Sequence, residues 1–164
     1  MNTSLKLDVY DLKIIDVLQR DGRITKVKLA EAVHLSPTAT WERLRRLEEA
    51  GIITGYQARI DLNRISPTTT VMVEITLKRH RSEDFKEFEK AVLTMPEITG
   101  CWATGGGVDY MMQVVAADVN SYQRFMDQLL ESNVGVDRYF SYIVTKPVKE
   151  VSAPPVTSLA EDLS

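Results

Sequence analysis

The chain is poor in the residues that hold small folds together from outside the core. Cysteine occurs once, at Cys101, so no internal disulfide can form. The two histidines, His34 and His80, leave no ligand cluster at metal-site spacing. No metal and no cofactor is expected. No stretch approaches the roughly 18 uncharged apolar residues that a membrane helix needs, and no membrane partner is expected. The start, MNTSLKLDVYD, has neither a basic n-region nor an apolar core, so a cytoplasmic protein is the expectation. A large positive charge is absent as well: the net charge is -3, which argues against wholesale non-specific nucleic-acid binding.

What remains is ordinary globular composition, 164 residues with 44% apolar and 26% charged side chains, suited to one domain or two small ones. The charge is unevenly placed. Residues 1–64 carry 11 basic and 9 acidic side chains, residues 65–164 carry 9 and 14, and the N-terminal part is the one more apt to meet phosphates.

The first third reads as three helices. Asp8 caps a helix with Ile14, Ile15 and Leu18 on one face, ended by Gly22 in the left-handed position. Thr25 caps a second, short helix bearing Leu29, Ala30 and Val33, which stops near His34. Ser36 caps a third, with Pro37 at its first position, Leu44 and Leu47 as its stripe and Gly51 as its end. Two helices joined by the turn His34–Ser36 fit a helix-turn-helix, whose second helix enters the major groove of duplex DNA. Thr38, Trp41, Glu42, Arg43, Arg45 and Arg46 lie off the apolar stripe, and guanidiniums fork onto guanine or phosphate. The competing reading is a solvated face on which Glu42, Glu48 and Glu49 pair with those arginines. Trp41 either packs partly against the first helix or stacks on a sugar or thymine methyl. After Gly51, IITGYQARID reads as a short strand leading into the linker LNRISPTT.

Beyond the linker, Val71, Val73, Ile75 and Leu77 alternate with polar neighbours, the period of a half-buried strand. A helix follows from Ser82 towards Pro96, then strands over Ile98–Thr104 and Asp109–Ala116, a helix around Tyr122–Leu130, and a strand over Arg138–Val144. The order βαββαβ is the ferredoxin-like plait, and the fold class is α+β. Its helices cover one sheet face, so the other calls for a second copy and a homodimer. The turn GGGVD, Gly105–Asp109, either brings backbone close to a ligand whose amino group Asp109 holds, or is a flexible hairpin with a turn aspartate. Tyr110 stands where a dinucleotide fingerprint needs its third glycine, and DYMMQVV lacks the interleaved aromatics of an RNA-binding sheet.

Over residues 7–150 the chain resembles the Lrp/AsnC (feast/famine) family of transcriptional regulators. The most specific stretch is Asp21–Tyr56, with LSPT, RLRRLE and GI..GY in family spacing; VEITL, Val73–Leu77, and the turn at Gly106, Asp109 and Tyr110 match in the second half. The resemblance implies a winged helix-turn-helix (1–61), a linker (62–69) and a plait that binds effector and dimerises (70–150); the tail, 151–164, extends beyond the match, is rich in Pro, Ser and acidic residues and is expected to be disordered. The helix pattern makes Lys26, Ser36, Thr38, Trp41, Arg43, Arg45 and Arg46 the expected DNA contacts, twofold symmetry calls for a near-palindromic operator, and the resemblance implies dimers assembling to tetramers or octamers. It also implies an amino acid or derivative held at a subunit interface by Trp102, Thr104, Gly106, Asp109, Tyr142 and Ile143. Gly105 and Gly107 depart from the family, where side chains are common, and His34 replaces the usual glycine of the helix-turn-helix turn. No catalytic residues are expected. The alternative is a tetrapyrrole-processing enzyme, because sirohaem decarboxylase subunits resemble the same architecture. A sensor whose helix-turn-helix has lost DNA affinity is opposed by the retained arginines.

Overall fold

A computed structural model describes residues 5–149, 153–156 and 158. The chain divides into two compact units, one drawn from residues up to Arg59 together with those from Lys149 on, the other Ile60–Val148.

The first unit is built on three helices, α1 (Val9–Arg20), α2 (Lys26–Val33) and α3 (Pro37–Glu49). Each starts where a side-chain oxygen can satisfy amides that have no partner in the helix. Asp8 accepts from the amides of Tyr10 and Asp11 at 2.8 and 3.1 Å, and Asp11 returns the bond by accepting from the Asp8 amide, a reciprocal capping box. Thr25 accepts from the Lys28 amide and Ser36 from that of Ala39. His34 ends α2 in the left-handed region at φ 58°, and Gly51 follows α3 at φ 68°. Ile14, Leu29, Val33, Leu44 and Leu47 close the core between the helices, with Ile53 packed against it.

Two expectations fail here. Gly22 does not take the left-handed position: α1 is capped by Asp21, whose amide bonds the Val17 carbonyl and whose side chain accepts from the Arg23 amide, so the turn closes without a positive φ. The segment IITGYQARID forms no strand: every strand described belongs to the second unit's sheet, and the Ile52 and Ile53 amides bond the Leu47 carbonyl at the end of α3 instead of a neighbouring strand.

The second unit contains a short 3-10 turn (Leu62–Arg64), then β1 (Thr69–Leu77), α4 (Ser82–Val92), β2 (Ile98–Ala103), β3 (Tyr110–Ala116), α5 (Val119–Glu131) and β4 (Val136–Ile143). The strands form one antiparallel sheet in the order β2-β3-β1-β4, the βαββαβ plait. Val71, Val73, Ile75 and Leu77 are buried with Met112 and Val114 against Phe88, Phe125, Met126 and Leu129 of the two helices. The alternate residues point to the other face, where the register sets Trp102 beside Met111, Met111 beside Glu74 and Glu74 beside Phe140, with Tyr142 beside Met72 in the next row. Trp102, Phe140 and Tyr142 are each about half exposed there. Of the tail expected to be disordered, 153–155 is without regular structure, Val156 and Ser158 are helical, and the Pro154 carbonyl accepts from Gln19; its other residues lie outside those described.

Candidate DNA-binding surface and effector site

The outward face of α3 carries Thr38, Trp41, Glu42, Arg45 and Arg46 exposed, with Ser36 at its cap. The three guanidiniums are not equivalent. Arg45 pairs with Glu49 at 2.7 Å, both side chains more than half exposed. Arg43 reaches back to α1, where one nitrogen lies 2.7 Å from Asp8 and 2.9 Å from Asp11, and Arg46 places a nitrogen 2.7 Å from the other Asp11 oxygen. Asp11 is fully buried. The Asp8 and Asp11 carboxylates hold the Arg43 guanidinium above its ordinary range. Desolvation works to raise the Asp8 carboxyl, but the Asp11 amide, the Arg43 guanidinium and the Tyr10 amide together hold it below the usual carboxylate range.

The pairing expected from Glu42 and Glu48 is therefore replaced. Glu48 accepts from the Tyr56 hydroxyl at 2.8 Å, and Arg43 and Arg46 find their carboxylates on α1, because the buried Asp11 cannot remain uncompensated. Burial, reinforced by Glu48, pushes the Tyr56 phenol up to about 12. Tyr56 also lies in van der Waals reach of Gly22, 3.4 Å from where a Cβ would sit. This explains the GI..GY spacing structurally, a role that the sequence pattern had left open. Trp41 is 41% exposed, and its ring carries the Lys26 ammonium 3.2 Å from its centroid. The partner observed is thus on α2, and Lys26 and Trp41 form one exposed cation–π unit.

In the second unit, Asp109 follows the glycine turn at the end of the sheet. Its carboxylate accepts from the Leu77 amide at 2.7 Å and lies 3.1 Å from His80 Nε2, while its own amide bonds the Ile75 carbonyl. Thr104 closes the turn, its amide bonded to the Asp109 carbonyl and its hydroxyl donating to the Val108 carbonyl. None of Gly105, Gly106 and Gly107 has a left-handed φ, and a Cβ on any of them would meet nothing within 4 Å. The chain's own packing does not demand glycine there.

One chain does not assemble the six expected effector residues. Thr104, Gly106 and Asp109 are at one end of the sheet, whereas Tyr142 is opposite Met72, about 17 Å along β1 from Leu77 at the usual rise of a strand. Tyr142 and Ile143 also face opposite ways: Ile143 is beside the buried Val71, on the helix side, and Tyr142 shares the open face with Trp102. Sequence reading missed His80, whose approach to Asp109 depends on the β1–α4 loop folding over the turn and leaves no local signal.

Residues 7–54 match the winged helix-turn-helix DNA-binding domain, and residues 70–154 match the Lrp/AsnC ligand binding domain. A transcriptional regulatory protein of Halomonas elongata, DoeX, is 54% identical over 149 residues, covering 91% of this chain and 94% of its own. The chain belongs to the Lrp/AsnC family. The leucine-responsive regulatory protein of Haemophilus influenzae is 36% identical across 89% of this chain and 88% of its own. Among solved structures, a transcriptional regulator of Neisseria meningitidis in complex with L-Met superposes with a TM-score of 0.87 at 33% identity, covering 94% of this chain and 99% of that one. The protein is thus a DNA-binding transcriptional regulator of Lrp/AsnC type, with its helix-turn-helix in α2 and α3 and its ligand-binding domain in the plait. The relatives compared are named as regulators, and the two histidines here serve as the α2 cap and as the Asp109 partner.

Proposed function

We propose that this Lrp/AsnC-family protein is a cytoplasmic regulator that binds near-palindromic duplex operators as a homodimer or an assembly of dimers, and that an amino acid or close derivative bound between subunits modulates it. Thr38 and Arg45 read base edges from α3; Lys26, Arg46 and the Ser36 cap meet phosphates, and Trp41 packs on the sugar-phosphate edge. The effector's amino group is held by Asp109, its carboxylate by amides of the glycine turn, and Trp102, Thr104, Gly106, Tyr142 and Ile143 are contributed by more than one subunit.

The observation that carries the effector half is the Asp109 carboxylate, mostly shielded at 17% side-chain exposure and adjoining a turn whose three glycines face open space. The complex of the Neisseria meningitidis regulator with L-Met supports the ligand class. Calorimetry with a panel of amino acids tests it, comparing wild type with Asp109→Ala and with Asp109→Asn, which retains an acceptor for the Leu77 amide. Both variants should keep DNA affinity without effector and lose the response to it. An equally tight ligand in all three proteins would reduce Asp109 to a turn residue.

A further inference from the structure

We propose that Asp11 is a positioning residue for DNA recognition: through Arg43 and Arg46 it fixes the rotation of α3, and Arg43 serves as a strut inside the domain rather than as a phosphate ligand. The proposal rests on the reading of α3 as the recognition helix. It begins from a conflict between sequence and structure, since the basic run RLRR looks like three phosphate or base ligands, yet Arg43 turns inward and Arg46 gives one nitrogen to the same buried carboxylate.

Asp11 is 0% exposed, and its two oxygens are divided between the two arginines, Oδ1 to Arg43 and Oδ2 to Arg46, with the Asp8 amide also donating to Oδ2. Arg43 is further held by Asp8 Oδ2 and is only 26% exposed. A phosphate that took Arg43 would have to replace two carboxylates and leave Asp11 buried with half its compensation, a costly exchange. Arg46 is in a different position. At 44% exposure it gives one nitrogen to Asp11 and keeps the remaining donors of its guanidinium for a ligand. Arg45, paired among the described residues with one exposed glutamate, exchanges that partner for DNA at little cost.

Leu44 and Leu47 attach α3 to the core by apolar contact, which is non-directional. Arg43 and Arg46, three residues apart and hence on one side of the helix, supply directional bonds to one fixed point on α1. Base readout depends on side-chain placement to within about 0.5 Å and 10–20°, so releasing this anchor affects sequence discrimination before it affects general electrostatic attraction. The surrounding charges add to net neutrality, with Asp8 and Asp11 against Arg43 and Arg46. Arg43, bonded to both of those carboxylates, contacts no phosphate in this reading and displaces no counterion, so the salt slope does not depend on it.

The test uses the full chain, a duplex from upstream of its own gene and a mixed-sequence duplex of equal length, titrated across a salt series. Arg43→Gln and Asp11→Asn should each leave the salt slope unchanged while the preference for the upstream duplex falls by about fivefold or more. Arg46→Gln should lower the slope by about one. The Asp11→Asn/Arg43→Gln double variant should lose no more preference than the worse single one, since both cut the same strut. Asp8→Asn, which leaves the buried carboxylate in place, repeats the test in a milder form should Asp11→Asn fold poorly, with the same direction expected. A slope lower by about one in Arg43→Gln with preference intact overturns the proposal. So does an equal loss of affinity for both duplexes in the Asp11 or Asp8 variant, the mark of a merely structural role. Arg45→Ala is carried in parallel: if it leaves preference intact while the Asp11 variant loses it, the reading of α3 has failed and the proposal falls with it.

Discussion

Arg45 and Arg43 are two residues apart in sequence, and their partners give them different prospects. The Arg45–Glu49 pair is exposed and screened by water, so it contributes little and a guanine edge can displace it. Arg45→Ala should cost about 1–3 kcal/mol of operator affinity and relax preference at one base pair, whereas Lys26→Ala should weaken all sequences alike; binding to a set of single-base operator variants separates the two. Cys101 illustrates a different residue-scale effect. Burial, with a smaller contribution from Glu89, pushes its thiol up to about 11. At pH 8 only a small fraction is thiolate, so alkylation followed by mass spectrometry should be slow in the folded protein and rapid in denaturant. The single cysteine was plain in the sequence; the burial that raises its thiol exists only once the sheet and α4 have packed together.

At the scale of elements, helix starts were legible because the cap and its acceptors lie within three residues of each other: Asp8, Thr25 and Ser36 all cap as their sequence positions suggest. Replacing Asp8 by Ala should destabilise the N-terminal unit by about 0.5–2 kcal/mol in urea unfolding. The same carboxylate gives a pH dependence of definite sign. Its folded-state pKa is depressed, so its contribution is complete above the ordinary carboxylate range and is lost as pH falls through the lower folded value. Urea midpoints of wild type should therefore decline at acid pH, and less steeply in Asp8→Ala. Leu47, fully buried between the helices, should cost about 2–5 kcal/mol when cut to alanine, read by the same unfolding curves. The 52–61 segment went the other way. It is rich in strand-forming residues, but a strand needs a partner for its backbone, and partner availability is not a local property.

For the whole molecule, the open face of the sheet calls for a partner. Trp102 at 53% exposure on one edge strand, and Phe140 at 52% and Tyr142 at 51% on the other, leave large rings exposed at both sides of this face. A second copy placed on it would bury these rings around a twofold axis and present two α3 helices to half-sites about 34 Å apart or a multiple of it. Sedimentation should show a dimer or larger assembly at micromolar concentration. Phe140→Glu should give a monomer with an unchanged circular dichroism spectrum, because this side chain faces away from the core; a monomeric wild type would remove the basis for the shared effector site.

The sequence by itself determined the order of the helices and of the plait's strands, the two stretches of chemistry and the family, since apolar period, caps and motif spacing are local and survive without a structure. It also placed the basic residues of α3 and the glycine turn before Asp109. Only the tertiary structure decided what those charges do. Asp11 was one acidic residue among several in the first helix until the packing of α1 against α3 removed it from water and obliged Arg43 and Arg46 to follow it inward. His80 was a loop residue until β1 and β3 paired and brought the turn beneath it. Ion-pair choice is settled by burial, and burial exists only once distant segments have met.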